Sequence, residues 1–181
     1  MFNRNIQRQL STYLTDRAQG MIINKTLRFV DGNFRAQGWQ DSSFKKWRGI
    51  ERKGTILVKT GALRRSWNYQ YATGGGVRFY NNVPYAKAHN EGFTGTVQVK
   101  AHTRNKYGKS QVFSLTDFNR NGTRKVRTVT NKVGSNQVKA HTRRVHIVQR
   151  QFAPYAGHES QTLNNSIIRE LNREINIILR Q

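Results

Sequence analysis

Two stretches of the chain place apolar residues three and four positions apart, the spacing that gives a helix one buried face. In residues 3 to 29 this spacing runs through Ile6, Leu10, Tyr13, Leu14, Met21 and Ile22. In the last part of the chain it runs through Leu163, Ile167, Leu171, Ile175 and Ile178. The pattern therefore predicts an N-terminal and a C-terminal amphipathic helix.

The region after the first helix predicts breaks and a loop. Asp31-Gly32-Asn33 and Gln37-Gly38 contain residue types that interrupt regular structure. Trp39 and Trp47 flank a basic, loop-like stretch, and the short apolar run Ile56-Leu57-Val58 follows it. We expect the chain to leave the helix here.

A β-hairpin is predicted next. Thr60-Gly61 turns the chain into Leu63 to Tyr71, a run with strand-forming aromatic residues. Gly74-Gly75-Gly76 then makes a second turn into Val77 to Tyr80. Two such runs joined by a glycine turn are typical of an antiparallel hairpin.

Residues 96 to 104 alternate apolar and polar side chains, as in a half-buried strand with a basic polar face. The sequence Gln-Val-Lys-Ala-His-Thr-Arg occurs at 98–104 and again at 137–143. Two copies are too few for a stacked-repeat fold, so we interpret them as the entering and returning strands of an arm, residues 96–148. A bulge or bend would explain the shift in apolar phase after the second copy. Residues 105–136, rich in Gly, Asn, Lys, Arg and Thr, are expected to form the tip of the arm, mobile until it docks on a partner.

The length of 181 residues fits a single domain, 1–181, that includes this arm. The chain has 32 Lys and Arg against 9 Asp and Glu, a net charge of +23, concentrated in the central segment. Repulsion on this scale has to be neutralised by polyanions or acidic surfaces, so we expect a protein that works with partners. No apolar run indicates a membrane span or a secretory signal, and we expect synthesis in the cytoplasm.

The residue types that act in catalysis or bind metals suggest no active site. The chain has no cysteine, the nine carboxylates are scattered, and the five histidines form no zinc-binding pattern. The glycine run lacks the Lys-Ser or Lys-Thr of a phosphate loop, and no nucleophile motif is present. We therefore predict a protein that is not an enzyme, with no catalytic residues, no cofactor and no metal.

The basic residues of the arm are candidate contact residues. They interleave with Tyr107, Phe113 and Phe118, a composition compatible with phosphate contacts and base stacking. Docking on acidic protein neighbours is the open alternative. The candidates for contact with DNA or with an acidic partner are Lys100, Arg104, Lys106, Lys109, Arg124, Lys125, Arg127, Lys139, Arg143 and Arg144.

Several landmarks stand in a specific order along the chain. They are Trp39, the run from Ile56 to Ser66, the run from Val83 to Gly92, the two Ala-His-Thr-Arg units at 101–104 and 140–143, and Arg150-Gln151-Phe152. In this order they resemble the phage virion-morphogenesis family, the tail-completion and neck proteins of tailed bacteriophages. The resemblance covers roughly residues 39 to 171.

The resemblance implies an α+β fold with a small curved antiparallel sheet packed on an N-terminal and a C-terminal helix, from which the basic β-hairpin arm protrudes. It also implies a structural protein of the virion, forming a hexameric ring at the head-tail junction. The partners would be further copies, connector or portal-proximal proteins, tail proteins and the packaged DNA, with terminator, adaptor and completion roles all open. The residues expected to maintain the fold and the assembly are Thr60, Gly61, Leu63, Ser66, Trp67, Tyr85, His89, Gly92 and Phe152.

A second hypothesis comes from the charge alone. A basic segment interleaved with aromatic residues is also typical of nucleic-acid-binding proteins of the ribosomal or chromatin type. That hypothesis predicts a monomer whose binding to DNA or RNA weakens steeply with salt, whereas the first predicts ring-shaped oligomers.

Overall fold

The computed structural model describes residues 4–51, 54–73 and 76–180, and it confirms the α+β class. The N-terminal helical segment consists of α1 (Arg4–Thr12), a π-helical turn (Tyr13–Arg17) and α2 (Ala18–Ala36). The C-terminal helix α5 (Gln161–Leu179) packs against both α1 and α2. Both predicted helices are confirmed, and the first extends to residue 36 rather than to about 29.

The π-helical turn changes which residues of the first helix are buried. A π turn contains one more residue than an α turn, so it rotates the following side chains around the helix axis. Leu14, expected on the buried face, is 50% exposed, whereas Tyr13, Ala18 and Ile23 are buried. The apolar stripe predicted from regular helical spacing was wrong at Leu14 for this reason.

The break predicted at Asp31-Gly32-Asn33 was wrong, because all three residues lie within α2. The Asn33 side chain is fully buried, its Nδ2 donates to the Phe152 carbonyl (3.1 Å), and its Oδ1 accepts from the backbone N–H of Gln40 (3.0 Å). These tertiary bonds outweigh the weak helix preference of Asn. The helix ends where the second break was predicted, with Gln37 in the left-handed region at φ 56°.

A short antiparallel ladder replaces the loop expected between the first two tryptophans. β1 (Gly38–Gln40) pairs with β2 (Phe44–Lys46). Trp39 and Trp47 are both buried, and the Trp47 Nε1 donates to the Gln151 carbonyl (2.8 Å). The packing of two indole rings thus fixes a segment whose basic composition favoured a loop.

The next hairpin is confirmed, with a later start than expected. Leu63 lies in the short helix α3 (Ala62–Arg65), and β3 (Trp67–Tyr71) pairs with β4 (Val77–Asn81) in antiparallel register. Gly74 and Gly75 of the predicted turn lie outside the described residues. The helix α4 (Ala86–Glu91) follows the hairpin.

The core lies among α2, α3, α4 and the segment after the last strand. Phe152 is 1% exposed and stands at its centre, with ring centroids 5.0 Å from Phe34 and 6.1 Å from Trp67. Aromatic pairs at this distance add specific stabilisation to the burial of apolar area. The buried cluster comprises Val30, Phe34, Trp47, Leu63, Ala86, Phe152 and Ala153.

The chain divides into two compact units, one up to residue 93 and from 146 onward, and the other at 94–145. The expected arm had the bounds 96–148, and the single-domain assignment, 1–181, stays a prediction. The remaining strands are β5 (Phe93–Val99), β6 (His102–Phe118), β7 (Arg124–Val138) and β8 (His141–Ile147). β5 pairs with β8 and β6 with β7, so the strands of the described residues form four two-stranded ladders.

Residues 105–136 form regular strands where a mobile tip was expected. β6 and β7 pair from His102 opposite Val138 to Phe118 opposite Arg124, with register shifts after Lys106 and after Phe113. Polar composition does not prevent strand pairing when β-branched residues are frequent, and the mobility expected of this segment before docking stays a prediction. In β7 these residues are Val126, Thr128, Val129, Thr130, Val133 and Val138.

Candidate functional site

The ten candidate contact residues all belong to the second unit and are all exposed. Lys100 and Lys139 stand between strands, and the other eight are distributed over three strands. Arg104, Lys106 and Lys109 lie on β6, Arg124, Lys125 and Arg127 on β7, and Arg143 and Arg144 on β8. The structure therefore spreads these cations along the ladder and does not gather them into a pocket.

Positive charge in this unit is almost uncompensated. Residues 94–145 contain 12 Lys and Arg, and Asp117 is their only carboxylate. Among the described residues, none of these cations lies within 4.0 Å of a carboxylate, whereas the first unit contains ion pairs such as Arg35–Asp31 (2.7 Å). The unit thus presents a field of one sign to its surroundings.

The second unit also lacks a core. None of residues 94–145 is buried, and large apolar side chains are exposed along both strands of the β6–β7 hairpin. Leu115 is 81% exposed. An isolated two-stranded hairpin is at best marginally stable in water. The most exposed apolar side chains are Tyr107, Phe113, Leu115 and Val133.

The repeated heptapeptide has the same structure in both copies. Each copy ends one strand with Gln-Val, leaves the strand at Lys-Ala, and starts the next strand with His. The His102 Nδ1 lies 3.0 Å from the Lys100 carbonyl oxygen, and the His141 Nδ1 lies 2.9 Å from that of Lys139. The continuous strand predicted for residues 96–104 was wrong, because the Lys100-Ala101 step divides β5 from β6. A bulge or bend was expected after the second copy, but β8 runs without a break from His141 to Ile147, and the interruption lies within the copy at Lys139-Ala140.

The Thr60-Gly61 motif forms the tight turn that was expected. Gly61 has φ 73°, in the region that favours glycine, and starts α3. The Arg65 Nη2 donates to the Thr60 carbonyl (2.9 Å), and a Cβ on Gly61 would lie 2.7 Å from the Arg65 Nη1. Leu63 follows in the core, and the Ser66 Oγ bonds the Leu63 carbonyl (3.3 Å). The motif thus positions Leu63 in the core.

Tyr85, His89 and Gly92 form a corner around α4. The rings of Tyr85 and His89 meet edge to face at 5.8 Å, and the His89 carbonyl accepts from the backbone N–H of Arg150 (2.8 Å). Gly92 has φ 80°, and a Cβ there would meet the Gln149 Cβ at 3.2 Å. The corner therefore holds α4 to the segment that leads to Phe152.

Burial lowers the pKa of His89 below its ordinary value, and the nearby Arg150 guanidinium lowers it further. The His89 Nδ1 is buried without a hydrogen-bond partner. His89 also lines a cavity of about 270 Å³ with Thr60, Leu63 and Tyr85. Four of the motif residues thus meet at one place, where Leu57 adopts a left-handed backbone (φ 59°) unusual for a bulky side chain.

Two buried asparagines were not identified from the sequence. The Asn90 Oδ1 accepts from the backbone N–H groups of Phe152 and Ala153 (both 2.9 Å), and its Nδ2 donates to the Ala153 carbonyl (3.1 Å). The Asn33 Nδ2 donates to the Phe152 carbonyl (3.1 Å). Asparagine is common on protein surfaces, so only the unusual position of Asn33 within a helix could have suggested a buried role.

Comparisons of the chain with protein-family models, with curated proteins and with solved structures found no match. The phage resemblance, the non-enzymatic reading and the ring therefore stay predictions. Within the described residues, no three His, Asp or Glu side chains are grouped so that they could hold a metal ion. None of the described helices is both long and apolar enough to cross a membrane.

Proposed function

We propose that this protein is a structural subunit of a tailed-phage particle, a tail-completion or neck protein that works in a ring at the head-tail junction. The observation that carries the proposal is the second unit, which has long paired strands, exposed apolar residues and no buried residue. A segment of this kind becomes stable when another surface covers it. The ordered sequence landmarks, which resemble those of the phage virion-morphogenesis family, support the phage particle as the setting.

The net positive charge of the subunits makes ring formation depend on the salt concentration. The second unit has 12 Lys and Arg against one Asp, and the rest of the chain has 20 against 8 acidic residues. The net charge of each copy therefore opposes the approach of a second copy at low salt. Salt reduces this repulsion, because the Debye length falls from about 10 Å at 0.1 M to about 3 Å at 1 M.

The test is the mass of the purified protein at 50 mM and 500 mM NaCl, measured by mass photometry and negative-stain microscopy. We expect a particle of about six 21.0 kDa subunits, populated more at high salt. A protein that stays monomeric at all salt concentrations, with and without added polyanion, contradicts the ring.

A matched pair of variants tests whether the hairpin makes the contact. Leu115→Ser removes an apolar side chain that is 81% exposed on the hairpin, and Ile168→Ser removes one that is 53% exposed on α5. We expect the first to lower the fraction of rings and the second to leave it unchanged. Equal effects would show that the hairpin is not the contact surface.

A nucleic-acid-binding protein of the ribosomal or chromatin type is the second candidate function. The exposed rings of Tyr107, Phe113 and Phe118 beside unpaired cations favour it. Its salt dependence has the opposite sign, because phosphate contacts weaken as salt rises. A monomer that binds nucleic acid and never forms a ring would support this candidate.

A further inference from the structure

The two copies of the heptapeptide occupy equivalent positions in the paired strands. The first copy runs from the end of β5 into β6, and the second runs from the end of β7 into β8. β5 pairs with β8 and β6 pairs with β7. Exchanging the two copies therefore exchanges one ladder for the other, which is the relation produced by a local twofold axis.

The geometry of the two copies supports this axis. The His Nδ1 to Lys carbonyl distances are 3.0 and 2.9 Å, and His102 at the start of β6 stands opposite Val138 at the end of β7. The dyad of an antiparallel strand pair runs perpendicular to the sheet. It therefore places equivalent residues of the two copies on the same face, so that Lys100 and Arg104 correspond to Lys139 and Arg143.

We propose that these four residues form a twofold-symmetric clamp that binds both phosphate backbones of double-stranded DNA, one copy of the heptapeptide on each backbone. The proposal deepens the proposed function and rests on it in taking the second unit as a contact surface. All four side chains are exposed, and no described carboxylate lies within 4.0 Å of them. Each copy thus offers two free cations, four residues apart.

Double-stranded DNA fits this surface better than an acidic protein does. Its two antiparallel backbones are related by dyads perpendicular to the helix axis, and each carries one phosphate per about 3.4 Å of axis. The major groove of B-DNA admits a two-stranded β-ribbon. An acidic protein surface would match the dyad only if it were itself symmetric, whereas the duplex has this symmetry along its whole length.

The experiment measures binding of the full chain to a labelled 24-base-pair DNA duplex by fluorescence anisotropy between 50 and 200 mM salt. Each lost phosphate contact lowers the slope of log affinity against log salt by about 0.9. The quadruple variant Lys100→Gln/Arg104→Gln/Lys139→Gln/Arg143→Gln should therefore lose about 3.6 from the slope. Over this fourfold salt range, that loss makes the salt-induced weakening about 150-fold smaller than in the unaltered protein.

Two further comparisons locate the effect. The single-copy variants Lys100→Gln/Arg104→Gln and Lys139→Gln/Arg143→Gln should each lose about half of that slope. The control variant removes four exposed charges of the first unit: Lys45→Gln, Lys46→Gln, Arg169→Gln and Arg180→Gln. Its slope of log affinity against log salt should equal that of the unaltered protein. A control that loses as much as the quadruple variant, or a single copy that accounts for the whole effect, overturns the clamp.

Competition and mass measurements separate the remaining outcomes. Unlabelled duplex should displace the probe at lower concentration than single-stranded DNA or polyglutamate of equal charge, and the reverse order overturns the proposal. Far-ultraviolet circular dichroism checks that each variant is folded. Rings with an unchanged salt slope in the quadruple variant refute the clamp alone, whereas the expected slopes in a protein that never forms rings refute only the proposed function.

Discussion

Removing the Asn90 side chain should destabilise the first unit more than any other single polar substitution considered in this protein. Asn90→Ala leaves two buried backbone N–H groups, those of Phe152 and Ala153, without an acceptor. It also leaves the Ala153 carbonyl without its donor. These three groups lie beside the Phe152 ring at the centre of the core.

The magnitude follows from the number of unsatisfied groups. A buried donor or acceptor left without a partner costs about 1–3 kcal/mol. Since water entering the space of the lost side chain would satisfy part of the demand, we expect a total of about 3–6 kcal/mol. A domain of ordinary stability has about 5–15 kcal/mol in all, so the variant should be only marginally folded.

Urea unfolding followed by tryptophan fluorescence measures this loss. Trp39, Trp47 and Trp67 all belong to the first unit, so the signal reports on the unit that contains Asn90. With a slope of about 2 kcal/mol per M of urea, the midpoint should fall by about 1.5–3 M.

Two variants make the result decisive. Asn176→Ala removes an exposed asparagine of α5 and should change stability by less than about 0.5 kcal/mol. Asn90→Asp keeps the acceptor for both N–H groups but turns a carboxylate oxygen toward the Ala153 carbonyl, so its stability should approach that of the unaltered protein only at low pH, where the protonated carboxyl can donate to that carbonyl. A loss below about 1 kcal/mol for Asn90→Ala would refute the view that Asn90 anchors the Phe152 segment.

Three further predictions concern the turn, the corner and the repeat. Gly61→Ala should destabilise by about 1–2 kcal/mol because of its positive φ and the close Arg65 guanidinium, whereas Gly20→Ala within α2 should stabilise by about 0.5–1 kcal/mol; thermal melts compare them. The pKa of His89 is lower in the folded than in the unfolded state, so stability is fully present above about pH 6.5 and is lost as pH falls through the folded value. Urea titrations of His89→Gln should show a weaker loss between pH 7 and 5. Charge reversal in both repeat copies combines Lys100→Glu, Arg104→Glu, Lys139→Glu and Arg143→Glu. This variant should remain folded by circular dichroism but should block particle assembly in a complementation assay. Normal assembly would contradict a role for the repeat.

The elements that could be predicted from the sequence are those whose pattern is local. The spacing of apolar residues identified both long helices, and the aromatic run before the glycine turn identified the β3–β4 hairpin. The repeat indicated paired strands because two copies of one sequence fit the entering and returning strands of an arm. The helix and hairpin signals lie within a few turns or a few strand residues, whereas the repeat relates two short segments 39 positions apart.

The predictions that were wrong depend on contacts between distant residues. Asn33 was interpreted as a helix breaker because its partners, Phe152 and Gln40, are not adjacent to it in sequence. Leu14 was placed on the buried face because nothing in the spacing shows the π-helical turn. The Trp39 to Trp47 segment pairs as strands because both indole rings reach the core. Tertiary hydrogen bonds and packing decide all three.

The features of the candidate site also fall into those that could be predicted from local sequence and those that depend on tertiary contacts. The basic residues were identified as exposed because a Lys or Arg without a partner is rarely buried. The meeting of Thr60, Leu63, Tyr85 and His89 at one cavity could not be derived from spacing, since α3 and α4 are brought together only by the core between them.

The distribution of charge constrains how this protein could assemble. Because both units carry a net positive charge, long-range electrostatics opposes the approach of two copies. Attraction between copies then has to come from apolar contacts and strand pairing, which the hairpin offers along its uncovered length. A polyanion that binds the repeat would remove the main barrier to these contacts. Binding of DNA or of an acidic partner should therefore precede or accompany ring closure, so that subunits do not close rings before their partner is present.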